Sequence, residues 1–114
     1  MKIRKTMEIE PQAVEADGAS GAQIRWIISR ADGAPNFAMR IFDIQPGGHT
    51  PGHSHDWEHE IYVIEGEITG IDGDGEHALV AGDAVFVPGG EHHQFRNDGG
   101  AVARMMCLVP NMDD

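Results

Sequence analysis

Apolar and polar residues alternate along most of this chain in short runs, and glycine and proline interrupt each run before it grows long. Residues 3–9 alternate well enough to predict a strand that stops at Pro11. A loop at residues 17–21 leads into a second predicted strand over residues 22–29, with Ile24, Trp26 and Ile28 on one face. The turn Asp32-Gly33-Ala34-Pro35 opens a third strand over residues 37–44. There Phe37, Met39, Ile41 and Asp43 share a face, and Pro46-Gly47-Gly48 ends the run. Residues 60–71 predict a strand with a break at Gly66. Ile61 and Val63 take the same face as His59, while Glu60, Tyr62 and Ile64 take the other. Asp72-Gly73-Asp74-Gly75 has the composition of a tight hairpin turn. A return strand over residues 77–80, the apolar run Ala84–Val87 and strands at Gln94–Arg96 and residues 101–109 follow. Residues 111–114 read as a polar tail. A period of two throughout, with no helical stripe, predicts an all-β sandwich or barrel.

Composition narrows the class further. At 114 residues the chain predicts one domain, residues 1–114, large enough to bury a core unaided. A formal net charge of −11 argues against nucleic acid or an anionic membrane surface as a partner, since either needs a basic face. No apolar run approaches the roughly 18 residues that cross a bilayer, and the first ten residues lack the apolar stretch of a secretory signal. A single cysteine, Cys107, forms no internal disulfide, and a reducing cytoplasm is the expected location.

The histidines are more informative. Six of the seven lie in two short segments, residues 47–60 and 88–93. Neutral imidazole is the commonest transition-metal ligand in proteins. His53 and His55, two apart, leave an extended chain on the same side, so two segments distant in sequence are expected to build one metal site. Ordinary core or surface histidines are the alternative. His92 is expected beside the site rather than in it, and His49 and His77 in solvent. The acidic stretch from Asp72 fails as a calcium loop, because its sixth position is His77 and its twelfth is Asp83.

At these positions the chain resembles the cupin superfamily. That family's first motif, G-x5-HxH-x3,4-E-x6-G, is matched by Gly47, His53, His55 and Gly66. The second, G-x5-PxG-x2-H-x3-N, is matched in full by Gly82, Pro88, Gly90, His93 and Asn97. The first motif therefore spans residues 47–66 and the second 82–97. One position departs: the expected glutamate is His59. Glu60 fits the longer spacing, but its parity points it away from the lumen, and it remains the alternative ligand. The resemblance implies a double-stranded β-helix, or jelly-roll barrel, like the small cupins with four histidine ligands, here His53, His55, His59 and His93.

Four neutral imidazoles leave the charge of a divalent ion uncompensated, which favours oxygen-anion ligands and lowers the pKa of bound water. Imidazole suits Zn, Cu, Fe and Ni, whereas the resemblance favours Mn or Fe. Strand parity predicts an apolar pocket lined by Phe37, Met39, Ile41, Ile61, Val63, Phe95, Met105 and Cys107, with Trp57 at its mouth. Cys107 is expected to serve as a small buried residue, with an oxidisable thiol near the metal as the alternative. The expected function is that of a metal-dependent, dioxygenase-like oxidoreductase acting on a small oxygen-bearing molecule. A non-catalytic binding or sensing module is the alternative, and a cupin isomerase a further one. Tyr62, Ile64, Met106 and Leu108, opposite in parity to the lumen, are expected to help form a homodimer. Residues 3–9 are expected to add to the partner's sheet edge.

Overall fold

A computed structural model describes residues 1–16 and 18–111. Asp17 of the predicted loop and residues 112–114 of the predicted tail lie outside the described residues. The strands are β1 (Gln12–Ala13), β2 (Ser20–Ile28), β3 (Phe37–His49), β4 (His59–Glu65), β5 (Glu67–Asp72), β6 (Gly75–Val80), β7 (Ala84–Val87), β8 (Gln94–Arg96) and β9 (Ala103–Pro110). They form one antiparallel sheet in the order β6-β5-β8-β3-β9-β4-β7, with β2 also on β3 and β1 on β2. The sheet curls strongly and folds its apolar face inward as a jelly roll. No described helix is long and apolar enough to cross a membrane.

β3 is the spine. It pairs with β2 on one side and with β9 on the other, from Phe37 opposite Pro110 to Ile44 opposite Ala103, and its last residue reaches β8. Pro46-Gly47-Gly48 does not end it, contrary to expectation. A register shift in β2 between Ser20 and Ala22 absorbs the irregularity. Gly47 adopts φ +80°, and a side chain on Gly48 would meet the Gly21 carbonyl oxygen at 2.7 Å, so the two backbones approach because neither glycine carries a Cβ.

The parity predicted for β4 holds: His59, Ile61 and Val63 are buried while Glu60, Tyr62 and Ile64 are exposed. Gly66, at φ +81°, separates β4 from β5. In β9, Ala103, Met105, Cys107 and Val109 are buried in strict alternation. The core joins these residues to Phe42 and Ile44 of β3, Ile68 and Phe95. Burying a side chain of this size contributes roughly 1.5–3 kcal/mol. On the outer face of the same sheet, Asp43 receives Arg25 Nη1 at 2.7 Å and Arg104 Nε at 2.7 Å. Arg25 also donates from Nε to the Ile9 carbonyl at 3.0 Å.

Residues 3–9 are not a strand. Thr6–Glu8 form a 3-10 turn without a buried residue, and Arg4 pairs with Asp32 at 2.7 Å. Among the described residues this segment pairs with no strand, and its charged residues Arg4, Lys5 and Glu8 are exposed.

Candidate metal centre

The segment after β3 has little regular structure, yet its backbone is fixed. His53 and His93 exchange both main-chain hydrogen bonds, at 3.1 and 2.9 Å, as an isolated antiparallel bridge. The Gly90 N–H donates to the His55 carbonyl, and Gly89 lies so close to the Asp56 carbonyl that no side chain fits there. Thr50 extends the seam: its N–H donates to the Phe95 carbonyl at 2.9 Å, and its Oγ1 accepts from the Phe95 N–H at 2.9 Å. Asn97 closes the seam beneath. Wholly buried, it donates from Nδ2 to the carbonyls of Ile44 and Ala101, both at 2.8 Å, and accepts from the Gly99 N–H at 2.9 Å. The two histidine segments thus meet through main chain, the Thr50 hydroxyl and the Gln94 amide, whose Nε2 donates to the Thr50 carbonyl at 2.9 Å.

Four imidazoles line the resulting cavity. His53, His55 and His93 offer ring nitrogens that all lie within 4.8 Å of one another. His59, the first residue of β4, stands against them with its ring 4.7 Å from His93 and 5.2 Å from His55, centroid to centroid. Trp57 stacks on His55 at 4.5 Å with planes 7° apart and so fixes that ring's orientation. The remaining histidines stand aside. His92 is exposed, and exposed His77 reaches Asp72 at 3.1 Å. His49 is half-buried rather than in solvent, with Nδ1 3.3 Å from the Thr50 carbonyl. Exposed Glu60 faces outward.

The donor atoms suit a transition metal. His93 Nδ1 lies 3.0 Å from the Glu91 carbonyl. A carbonyl only accepts, so that nitrogen carries the proton and Nε2 keeps its lone pair for a ligand. The Nε2 atoms of His53 and His55 face each other at 3.1 Å. His59 Nδ1 is buried without a hydrogen-bond partner, an arrangement that costs free energy unless something binds there. Burial, followed by the neighbouring histidines and Arg40, pushes the pKa of His53 down to about 4 and that of His59 down to about 3. Burial also lowers His55, with His93 and Arg40 adding and Asp56 opposing. The rings of His53, His55 and His59 are therefore neutral at physiological pH, as ligation requires.

A pH dependence follows. An unfolded histidine titrates near its ordinary 6.5, well above the folded values of His53 and His59. As pH falls below 6.5 the unfolded chain takes up protons that the folded chain refuses, and stability declines until the folded pKa values are reached. The metal-free protein is expected to melt at progressively lower temperature from pH 7 to pH 4, with His59→Ala flattening the slope. A flat profile in the parent would contradict the depressed values.

The cavity holds about 660 Å³, within the usual range for small-molecule sites. Trp57, Ile61, Phe95, Met105 and Cys107 line it, as the sequence predicts. Val63 has the inward parity but lies in the packed core, fully buried. Phe37, Met39 and Ile41 are a correction, for they occupy the outer face of β3. Ala38, Arg40 and Phe42 face the lumen instead. Both faces of β3 carry apolar residues and one charge each, so alternation alone does not orient the strand. Pairing does: Arg40 lies opposite Cys107 and Phe42 opposite Met105, both inward-facing.

Arg40 is thus a cation within a lumen expected to be apolar. Its guanidinium lies 5.4 Å from the Trp26 ring centre and 5.1 Å from that of Phe42. Trp26 of β2 lines the cavity half-exposed. Burial pushes the Cys107 thiol up, only partly offset by Arg40, and keeps it protonated.

Residues 40–109, more than half of the chain, match the family described as Cupin domain. This chain belongs to the cupins. The crystal structure of the polyketide cyclase RemF from Streptomyces resistomycificus superposes on this cupin with a TM-score of 0.93 at 34% identity, covering 98% of this chain and 80% of that one. The polyketide synthase CurC of Streptomyces cyaneus is 30% identical over 101 residues, 86% of this cupin and 65% of that protein. The 1-methylthio-D-xylulose 5-phosphate methylsulfurylase of Rhodospirillum rubrum is 30% identical over 71 residues, 62% of this cupin. The cupin spans 46% of the methylsulfurylase's length, so it covers less than two thirds of either curated relative.

Proposed function

We propose that this cupin is a metal-dependent enzyme that cyclises a small polycarbonyl compound by joining an enol carbon to a ketone carbon with loss of water. The observation that carries this reading is the convergence of four imidazoles, one with an orphaned buried nitrogen, in a single cavity walled by aromatic rings. Its likeness to a polyketide cyclase at 34% identity points the same way.

His53, His55, His59 and His93 would hold one divalent ion, with manganese or iron favoured by the family and zinc, copper or nickel also compatible with imidazole. Such an ion supplies Lewis-acid charge at a carbonyl oxygen. The protein supplies the rest. Trp26, Phe42 and Phe95 flank a flat conjugated chain and exclude water. Trp57 holds the His55 ring, and the Glu91 carbonyl holds the His93 tautomer. Among the described lining residues Glu15, exposed at the rim, is the one carboxylate. With no enclosed carboxylate to remove it, the proton that leaves must already be acidic, as it is between two carbonyls. That feature favours cyclisation of a β-polyketone over isomerisation of a simple sugar.

The test is incubation of protein loaded separately with Mn, Fe, Zn, Cu or Ni with a linear aromatic β-tetraketone, in which a carbon between two carbonyls can close a six-membered ring on a ketone, read by mass spectrometry, carbon NMR for the new C–C bond and an oxygen electrode. A product lighter by one water without oxygen uptake is expected. Oxygen uptake with oxygen atoms added to the product would replace cyclisation by an oxygenase, a reading supported by a nitrogen-only donor set that also suits iron. No product with any metal would leave a binding or sensing module.

The homodimer is proposed on the same footing. Tyr62 and Ile64, at 45% and 42% exposure, form an apolar pair on the outer face of β4, and light scattering is expected to give twice the chain mass. A monomer at micromolar concentration would reject it.

A further inference from the structure

We propose that Arg40 forms an oxyanion subsite inside the barrel, so that the ligand of this cupin carries an ionised carboxylate or enolate conjugated to a flat π-system. The inference takes from the proposed function only that the cavity receives a small organic molecule, and it names that molecule's charge.

Four other arginines are spent on carboxylates. Arg4, Arg25, Arg96 and Arg104 each reach an aspartate at 2.7 Å. Among the described residues no carboxylate pairs with Arg40. Its Nη2 donates to the Cys107 sulfur at 3.0 Å, a weak acceptor held as a neutral thiol, and its Nε is buried without a partner. The two aromatic faces beside it attract a cation but accept no conventional hydrogen bond. A guanidinium carries five N–H donors in a plane matched to a carboxylate. Among the described residues most of them go unanswered, and no carboxylate balances the positive charge.

Position adds to charge. Arg40 sits mid-strand on β3, between Trp26 on β2 and Cys107 on β9, so both neighbouring strands fix its Cα. It lines the same cavity as the four histidines. Arg40 is partly exposed, but enclosing its Nε without a partner is costly, and a methionine would fill the same space at lower cost. The arrangement therefore makes physical sense as a receptor for an anion. An oxyanion on Arg40 would place its attached π-system beside Trp26 and Phe42, with the remainder of the molecule directed along the lumen wall.

The experiment uses the full-length protein stripped with a chelator, so that no metal recruits the anion. Binding is measured by calorimetry near neutral pH for naphthoate against neutral naphthamide, and for dimedone, an acidic β-diketone, against its uncharged enol methyl ether. The parent is expected to prefer the anion of a pair by about tenfold or more, the usual scale of a charge-assisted hydrogen bond. Arg40→Met is expected to erase that preference by weakening the anion alone, and Arg40→Lys to keep part of it. Preference for naphthoate assigns a carboxylate, and preference for dimedone alone assigns an enolate. Equal binding within both pairs by the parent overturns the subsite, and this arm does not depend on any variant folding. Retained preference in a folded Arg40→Met protein overturns it as well. If the preference holds while the tetraketone is not turned over, the cyclisation reading fails and the subsite stands. The reverse pattern rejects the subsite alone.

Discussion

Replacing His59 with alanine is expected to abolish stable metal binding while leaving the barrel folded. His59 contributes a buried ring whose Nδ1 has no hydrogen-bond partner, and it stands against His93 and His55 on the cavity wall. Removing an outer-shell partner of a ligand typically costs about 10–100-fold in metal affinity, and removing a ligand should exceed that. Glu60→Ala, on the outer face, is expected to retain the parent's affinity. Elemental analysis and competition with a chromophoric chelator would measure both. The reverse pattern, with loss in Glu60→Ala and none in His59→Ala, would require β4 to present its other face to the metal and would sink the four-imidazole site. Full retention in both variants would reduce the ligands to His53, His55 and His93.

The largest effect on stability is expected at Asp43. Burial by itself would raise its pKa, but the hydrogen bonds and charges of Arg104 and Arg25 outweigh burial and hold it below the usual carboxylate value. Asp43 and Arg25 are 6% and 8% exposed, so the pair is enclosed. Asp43→Ala leaves Arg25 buried with only the Ile9 carbonyl and also releases Arg104. Breaking a buried pair from one side typically costs about 3–5 kcal/mol, a large part of a net stability of about 5–15 kcal/mol. Urea denaturation should therefore show Asp43→Ala near the edge of stability. A double variant in which Arg25 also becomes methionine should recover part of the loss. A single-variant loss below about 1 kcal/mol would mean that water reaches Arg25 and that the triad is a surface feature.

The parts of this molecule legible in its sequence are those in which one face differs chemically from the other. β4 and β9 alternate buried and exposed positions cleanly, so His59, Ile61, Met105 and Cys107 could be placed by parity. The histidine motifs were legible because spacing within each segment is local. What brings the segments together is not local: the His53–His93 bridge and the glycine contacts depend on closure of the barrel. β3 was illegible for a different reason. It has an apolar residue and a charge on each face, and only its pairing with Met105 and Cys107 decides which charge points inward. Arg40 was missed with it. The N-terminal segment shows the opposite failure, an alternating pattern that finds no neighbouring strand.

The seam between the two histidine segments is made of main-chain hydrogen bonds, close-set glycines and the side chains of Thr50, Gln94 and Asn97, and none of its bonds uses the ring of His53, His55, His59 or His93. The rings hang from a frame that is complete without them. Such a frame behaves as a socket: its metal-facing side chains are free to be exchanged while the joint that positions them stays the same. The donor set and the fold can then change independently, so a new metal preference, or a catalytic chemistry of another kind, lies a few substitutions away without a new backbone.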